Sequence, residues 1–206
     1  LSLKTIKCHD LGISSLCSTP DGKNIITGSS DETIKIWDLK GNCLKTFKGH
    51  SYNISTISVT PDGKNIVSGS YDKTIKVWDL NGNCLKTFKE HKDWLGAIAI
   101  SPDSKYIFSG SYDNTIKIWD FNGICINTLT EHEKPIETIT VTHKGNYIIS
   151  GSDDKTIRIW DFYGNCLRIF TGHKDSVKTV SVNFEGKNIV SGSYDKTIKI
   201  WDFYGN

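Results

Sequence analysis

From Ile54 to Val59 the chain reads ISTISV, apolar and small polar residues in alternation, and NIVSGS (Asn65 to Ser70), TIKVWD (Thr74 to Asp79) and CLKTFK (Cys84 to Lys89) follow it. A period of two, not 3.6, puts successive side chains on opposite faces of a strand. The strands are β-branched or aromatic enough to suit a pleated, half-buried surface. Between them stand turn residues: PDG (Pro61 to Gly63), YDK (Tyr71 to Lys73) and NGN (Asn81 to Asn83). The pattern predicts four short antiparallel strands in about forty residues.

The same unit recurs along the whole chain. Trp37, Trp78, Trp119, Trp160 and Trp201 are each 41 residues apart, as are His9, His50, His91, His132 and His173. Asp31, Asp72, Asp113, Asp154 and Asp195 keep that spacing, and so do Cys43, Cys84, Cys125 and Cys166. A fixed period of this length marks an array of one supersecondary unit. Four antiparallel strands per unit make the blade of a β-propeller, so the expectation is an all-β chain forming one domain over residues 1–206.

The Gly49-His50 and Gly172-His173 pairs, with the Trp-Asp dipeptides at 37–38, 78–79, 119–120, 160–161 and 201–202, resemble the WD-repeat family over the entire length. Cys8, Glu90 and Glu131 replace the glycine before His, and THKG (Thr142 to Gly145) and NFEG (Asn183 to Gly186) replace the Pro-Asp turn. Most members of the family have seven blades, so five units are a departure. The chain holds five units plus one residue, beginning with LKTIK (Leu3 to Lys7) in the register of an outer fourth strand and ending after a third. We therefore expect a closed five-bladed ring in which that first strand completes the last blade. A five-blade segment of a longer propeller is the alternative, and the absence of methionine speaks for it.

Composition narrows the function. Twenty-five basic and 23 acidic side chains are scattered without a long run of like charge, so neither nucleic acid nor an anionic membrane is expected as a partner. No stretch approaches the roughly 18 apolar residues of a membrane span, and the N-terminus lacks a signal peptide's apolar centre, which points to the cytoplasm. Four cysteines recur once per blade with no C-x-x-C spacing. They are expected as separate, buried small side chains in a reducing compartment, neither disulfides nor zinc ligands. Cys8 and Cys17 lie outside that series and are candidates for reactive or partly exposed thiols. Lys35, Lys76, Lys117, Arg158 and Lys199 stand two before each Trp, a position that suits blade stabilisation.

Each unit holds His, Ser or Thr, Asp and Trp, for example His50, Ser68, Asp72 and Trp78, or His173, Ser191, Asp195 and Trp201. Catalysis requires one set in one cleft; five equal sets call for a structural role. The family resemblance implies a buried hydrogen-bonded tetrad. No catalytic residue, metal or cofactor is expected.

Partner-specific information should lie where the units differ. The resemblance implies that the residues three and five after His, and the one before the turn Asp, face the top of the propeller. Asn53, Trp94, Glu137, Lys178, Tyr71, Tyr112, Asp153 and Tyr194 are the candidates for partner binding. Trp94 is the one Trp outside the 41-residue series, while Glu137 and Asp153 suit a basic or Arg-containing segment. The expected function is a non-catalytic scaffold for a protein or peptide. The competing reading is a lectin-like propeller with one small-molecule site per blade.

Overall fold

The computed structural model describes residues 5–204. They form five antiparallel sheets without a helix among them. The first blade comprises β1 (Ile13–Ser18), β2 (Asn24–Ser29), β3 (Thr33–Asp38) and β4 (Cys43–Lys48). The second comprises β5 (Ile54–Val59), β6 (Asn65–Ser70), β7 (Ile75–Asp79) and β8 (Cys84–Phe88), within one residue of the strands that the alternation predicts. The third runs through β9 (Leu95–Ile100), β10 (Tyr106–Ser111), β11 (Ile116–Asp120) and β12 (Cys125–Leu129). The fourth holds β13 (Ile136–Val141), β14 (Ile148–Ser152), β15 (Ile157–Trp160) and β16 (Cys166–Phe170). The fifth has three strands, β17 (Val177–Val182), β18 (Asn188–Ser193) and β19 (Ile198–Asp202).

Strands follow chain order within each blade, and the first strand of each blade packs against the first strand of the next. The alternation gives every blade two apolar faces, one for each neighbour. Ile26, Ile34, Ile36 and Phe47 of the first blade pack against Ile54, Ile57, Ile66 and Trp78 of the second. Val67, Ile75, Val77 and Phe88 meet Leu95, Ile98, Ile107 and Trp119 in the same way. The core is thus a series of layers between blades, repeated with the sequence.

The expected ring closure is not seen. Thr5 to Lys7 form no strand, no strand among the described residues pairs with the outer edge of β19, and Leu3 and Lys4 lie outside the described residues. The outward faces of the first and fifth blades stand exposed instead: Leu16 is 69% and Ile198 76% exposed, whereas their counterparts at the inner junctions are at most 8% exposed.

The cysteine expectation also needs correction. Cys43 and Cys84 are exposed and Cys125 and Cys166 half-buried, because each begins the outer strand, which has no further strand beyond it. All six thiols are free. Cys17 is partly exposed as a residue, yet burial of its thiol pushes the pKa up to about 11, so it carries little thiolate at neutral pH.

Candidate functional site

The repeated polar residues assemble into one network per blade. In the second blade Trp78 Nε1 donates to Ser68 Oγ at 2.9 Å, His50 Nε2 lies 2.7 Å from the same oxygen, and His50 Nδ1 lies 2.8 Å from Asp72 Oδ2. The fifth blade repeats this through Trp201, Ser191, His173 and Asp195 at 2.8, 2.8 and 2.7 Å. In the first, Thr27 replaces Ser as acceptor for Trp37. Within this Trp–Ser–His–Asp relay the bonds are all satisfied if Nδ1–H donates to the carboxylate and the hydroxyl donates to Nε2.

The aspartate sits within a tight turn, closed by the Lys73 amide on Ser70 O, and serves two elements. Asp72 Oδ1 accepts from the Thr74 amide and hydroxyl, and Oδ2 accepts from the Ser51 amide, tying the loop between blades to the β6–β7 turn. Burial works against its negative charge, but the hydrogen bonds from His50 and Thr74 outweigh that and hold the carboxyl well below the usual range. The glycine of the Gly-His pair has a steric reason: a Cβ on Gly49 would lie 3.0 Å from the Trp78 ring. Where Glu replaces it, a cation answers. Glu131 pairs with Arg158 at 3.2 Å and Glu90 with Lys117 at 3.9 Å. Lys35, Lys117 and Arg158 each lie 5.9 Å from the ring centre of their own blade's Trp. The hydroxyls at the centre of these sets belong to buried residues, with Ser68 0% and Ser191 1% exposed.

The positions that vary from blade to blade gather at one end of the first strands. Every β1-type strand bulges against its neighbour: Ile136 pairs with Ser152 and Thr138 with Gly151, so Glu137 is left out of register. Ser14, Ser55, Gly96 and Lys178 are the residues passed over in the other blades. A bulge of this kind re-aims one side chain per strand. Gly96 also marks a close approach of backbones, since a Cβ there would lie 2.2 Å from the Ile136 carbonyl oxygen. Past the bulge the two other variable positions face one another: the Tyr71 amide donates to Asn53 O at 2.9 Å and the Tyr112 amide to Trp94 O at 2.8 Å.

This arrangement brings together Trp94, Tyr71 and Tyr112. Trp94 stacks on Tyr71 with ring centres 4.4 Å apart and planes inclined by 14°, and Tyr112 lies 5.8 Å from Trp94. Trp94 remains 39% exposed. Beside the cluster opens a cavity of about 230 Å³ lined by residues of four blades, among them Ser14, Asn53, Tyr71, Tyr112 and Glu137. Tyr194 is not part of the cluster. It is exposed and lies under Lys178, whose Nζ is 4.5 Å from its ring centre. That same Nζ donates to Asp153 Oδ1 at 2.9 Å and stands 2.9 Å from Glu137 Oε1, an ion-pair contact outside hydrogen-bonding geometry. Burial opposes both charges, but hydrogen bonds from Ser176 and then Lys178 lower Asp153, and the bond to Asp153 raises Lys178. Burial, with the charge of Glu137 next to it, raises the Tyr112 phenol.

Sequence reasoning missed the ion triad of Glu137, Asp153 and Lys178, which joins two blades through residues that no other unit has at those positions. It also missed the cavity. The signal for the cavity was the run of small residues, Ser14, Ser55 and Gly96, at the bulge position of three successive blades.

The repeat described as "WD domain, G-beta repeat" matches residues 1–38, 41–79, 82–120, 123–161 and 164–202. A 36-residue stretch is 56% identical to the nuclear distribution protein PAC1 of Candida albicans, covering 18% of this chain and 7% of that protein. A 39-residue stretch is 54% identical to the U3 small nucleolar RNA-associated protein 12 of Saccharomyces cerevisiae, covering 18% of this chain and 4% of that one. Each similarity is about one repeat long, a small part of either relative. With five matches in unbroken succession and the tetrad geometry in each blade, the chain belongs to the WD-repeat family.

Proposed function

We propose that the chain is a non-catalytic interaction scaffold whose top face, centred on Trp94, takes a protein or peptide partner. The observation that carries this reading is the stacked, part-exposed Trp94–Tyr71 pair at the edge of the cavity. Trp and Tyr held rigid by their neighbours are the usual anchors of protein interfaces. Family membership supports a scaffold role in general. Glu137 and Asp153 bring two negative charges against the one positive charge of Lys178, so a basic or Arg-containing segment is the preferred occupant. Tyr71 and Tyr112 share one Trp94 between them and Tyr194 lies beside Lys178 instead, which disfavours one equivalent small-molecule site per blade.

The partner is to be captured with the chain as bait, and its affinity compared for wild type and Trp94→Ala. Removal of Trp94 is expected to weaken binding at least about tenfold and to leave the melting temperature unchanged, since the side chain lies outside the tetrads and the layers between blades. Equal affinity of the two proteins would rule the top face out. A stoichiometry of several small ligands per chain would favour the lectin-like alternative.

A further inference from the structure

The ion triad shows what the chain does with a cation at a tyrosine before a turn Asp. Lys178, the bulge residue of the fifth blade, holds its Nζ 4.5 Å from the ring centre of Tyr194, 2.9 Å from Asp153 Oδ1 and 2.9 Å from Glu137 Oε1. An aromatic face and carboxylates each attract an ammonium, and here they act together. In the second blade the places of Glu137, Asp153, Lys178 and Tyr194 are taken by Ser14, Ser30, Ser55 and Tyr71. The tyrosine stays, and three long charged side chains give way to three short hydroxyls. In the third blade the bulge residue is Gly96, where a Cβ would lie 2.2 Å from the Ile136 carbonyl oxygen, so the backbone approach rules out a side chain beside Tyr112.

These short residues make room for the cavity of about 230 Å³, whose lining joins Ser14, Ser30, Ser55, Tyr71 and Tyr112 to Glu137. Glu137 is the one charged residue among the described residues that line it. Its side chain is 13% exposed, and Lys178 divides a single positive charge between Glu137 and Asp153, which leaves one negative charge over. The Tyr71 and Tyr112 ring centres stand 6.5 Å apart, and Trp94 backs both. The volume falls below the roughly 300–1,000 Å³ of sites for drug-sized molecules, which suits one side chain. We propose that this cavity is a socket for a single alkylammonium group, the head of a lysine side chain of the partner, set between the Tyr71 and Tyr112 rings and the Glu137 carboxylate. The proposal rests on the reading of the top face as a partner-binding surface and names what that surface takes. The partner's ammonium plays toward Tyr71 and Glu137 the part that Lys178 plays toward Tyr194 and Asp153. The Ser14 and Ser55 hydroxyls donate to the Gly28 and Gly69 carbonyls at 3.0 Å, which leaves their oxygens as acceptors for the three N–H groups.

Titration of the chain with Nα-acetyl-lysine methylamide, followed by nuclear magnetic resonance, tests this. The Trp94 indole N–H, assigned by its loss in Trp94→Phe, and the Tyr71 and Tyr112 amides are expected to shift saturably. The Nε-acetylated counterpart, which carries no charge, should give no saturable shift. Glu137→Gln keeps the size of the side chain and the Lys178–Asp153 pair, and is expected to weaken binding of the lysine compound at least about tenfold. Ser55→Lys supplies an ammonium from within, over Tyr71 as Lys178 lies over Tyr194, and should abolish the titration while the circular dichroism stays that of wild type. Wild type without a saturable shift, equal shifts from the charged and acetylated compounds, or equal affinity of wild type and Glu137→Gln overturns the socket. If Glu137→Gln does not fold, the comparison of the two compounds on wild type decides alone. Partner binding that is lost in Trp94→Ala but kept in Glu137→Gln sinks the socket and leaves the top-face reading standing; partner binding kept in both removes the two together.

Discussion

Replacing Trp119 by alanine is expected to destabilise the chain by about 3–5 kcal/mol, read as a fall of roughly 6–20 °C in melting temperature for a protein of this size. The indole is 1% exposed, lies between the second and third blades among Ile75, Phe88, Leu95 and Ile107, and has the Phe88 ring centre 5.3 Å from its own. Truncation opens a cavity there and also removes the Nε1–H that donates to Ser109 Oγ at 2.8 Å. Trp119→Phe separates the two losses. It keeps much of the apolar volume and forfeits the hydrogen bond, so its cost should be smaller by about the amount of the filled space. An unchanged denaturation midpoint for Trp119→Ala would remove the tetrad from the list of what holds the blades together.

The distinction between what repeats and what does not explains how far the sequence could be read. Strand positions follow from alternation, turns from Gly, Asp and Asn, and the tetrad from residues locked 41 apart, all within one unit or between adjacent ones. Because Trp78, Ser68, His50 and Asp72 meet inside a single blade, the family resemblance was enough to group them. The stacking of Trp94 on Tyr71 joins residues of different blades, no other unit has a Trp at the position of Trp94, and only the bulges show how their strands are aimed. Tyr194 shows the limit of reasoning by register. It occupies the position of Tyr71 and Tyr112, yet its neighbour is Lys178 where theirs is Trp94, so the same residue has different company. Ring closure depends on the placement of two chain ends nearly 200 residues apart in sequence, and no local pattern specifies that. The cysteines were misread because a recurring half-apolar residue at the start of a strand gives no sign that the strand is the outermost one.

Acid should unfold the chain more sharply than its near-neutral net charge suggests. Asp31, Asp72, Asp113 and Asp154 are each partly withdrawn from water, which raises a carboxyl pKa, but hydrogen bonds from their His, Thr and backbone partners more than offset this. In Asp195 the Thr197 hydroxyl is the leading cause of the same lowering. Turn aspartates such as Asp79, held by the Asn83 side chain and amide, shift in the same direction. A carboxyl that is more acidic folded than unfolded favours the folded state fully above its unfolded pKa of about 3.9, and that contribution is lost as pH falls through the folded value. The melting temperature should therefore respond little to these groups between about pH 7 and 5 and drop steeply below about pH 4. The steepness counts the extra protons taken up on unfolding, so Asp113→Asn, which removes one such carboxylate, should give a shallower acid limb by about one proton. A curve as flat from pH 5 to 3 as from 7 to 5, or an Asp113→Asn limb parallel to wild type, would mean that the His–Asp pairs contribute nothing to folding through their charge. Since the same pair recurs in five blades, the effect accumulates along the row, and the repetition that made the fold legible also concentrates its sensitivity to acid in one kind of bond.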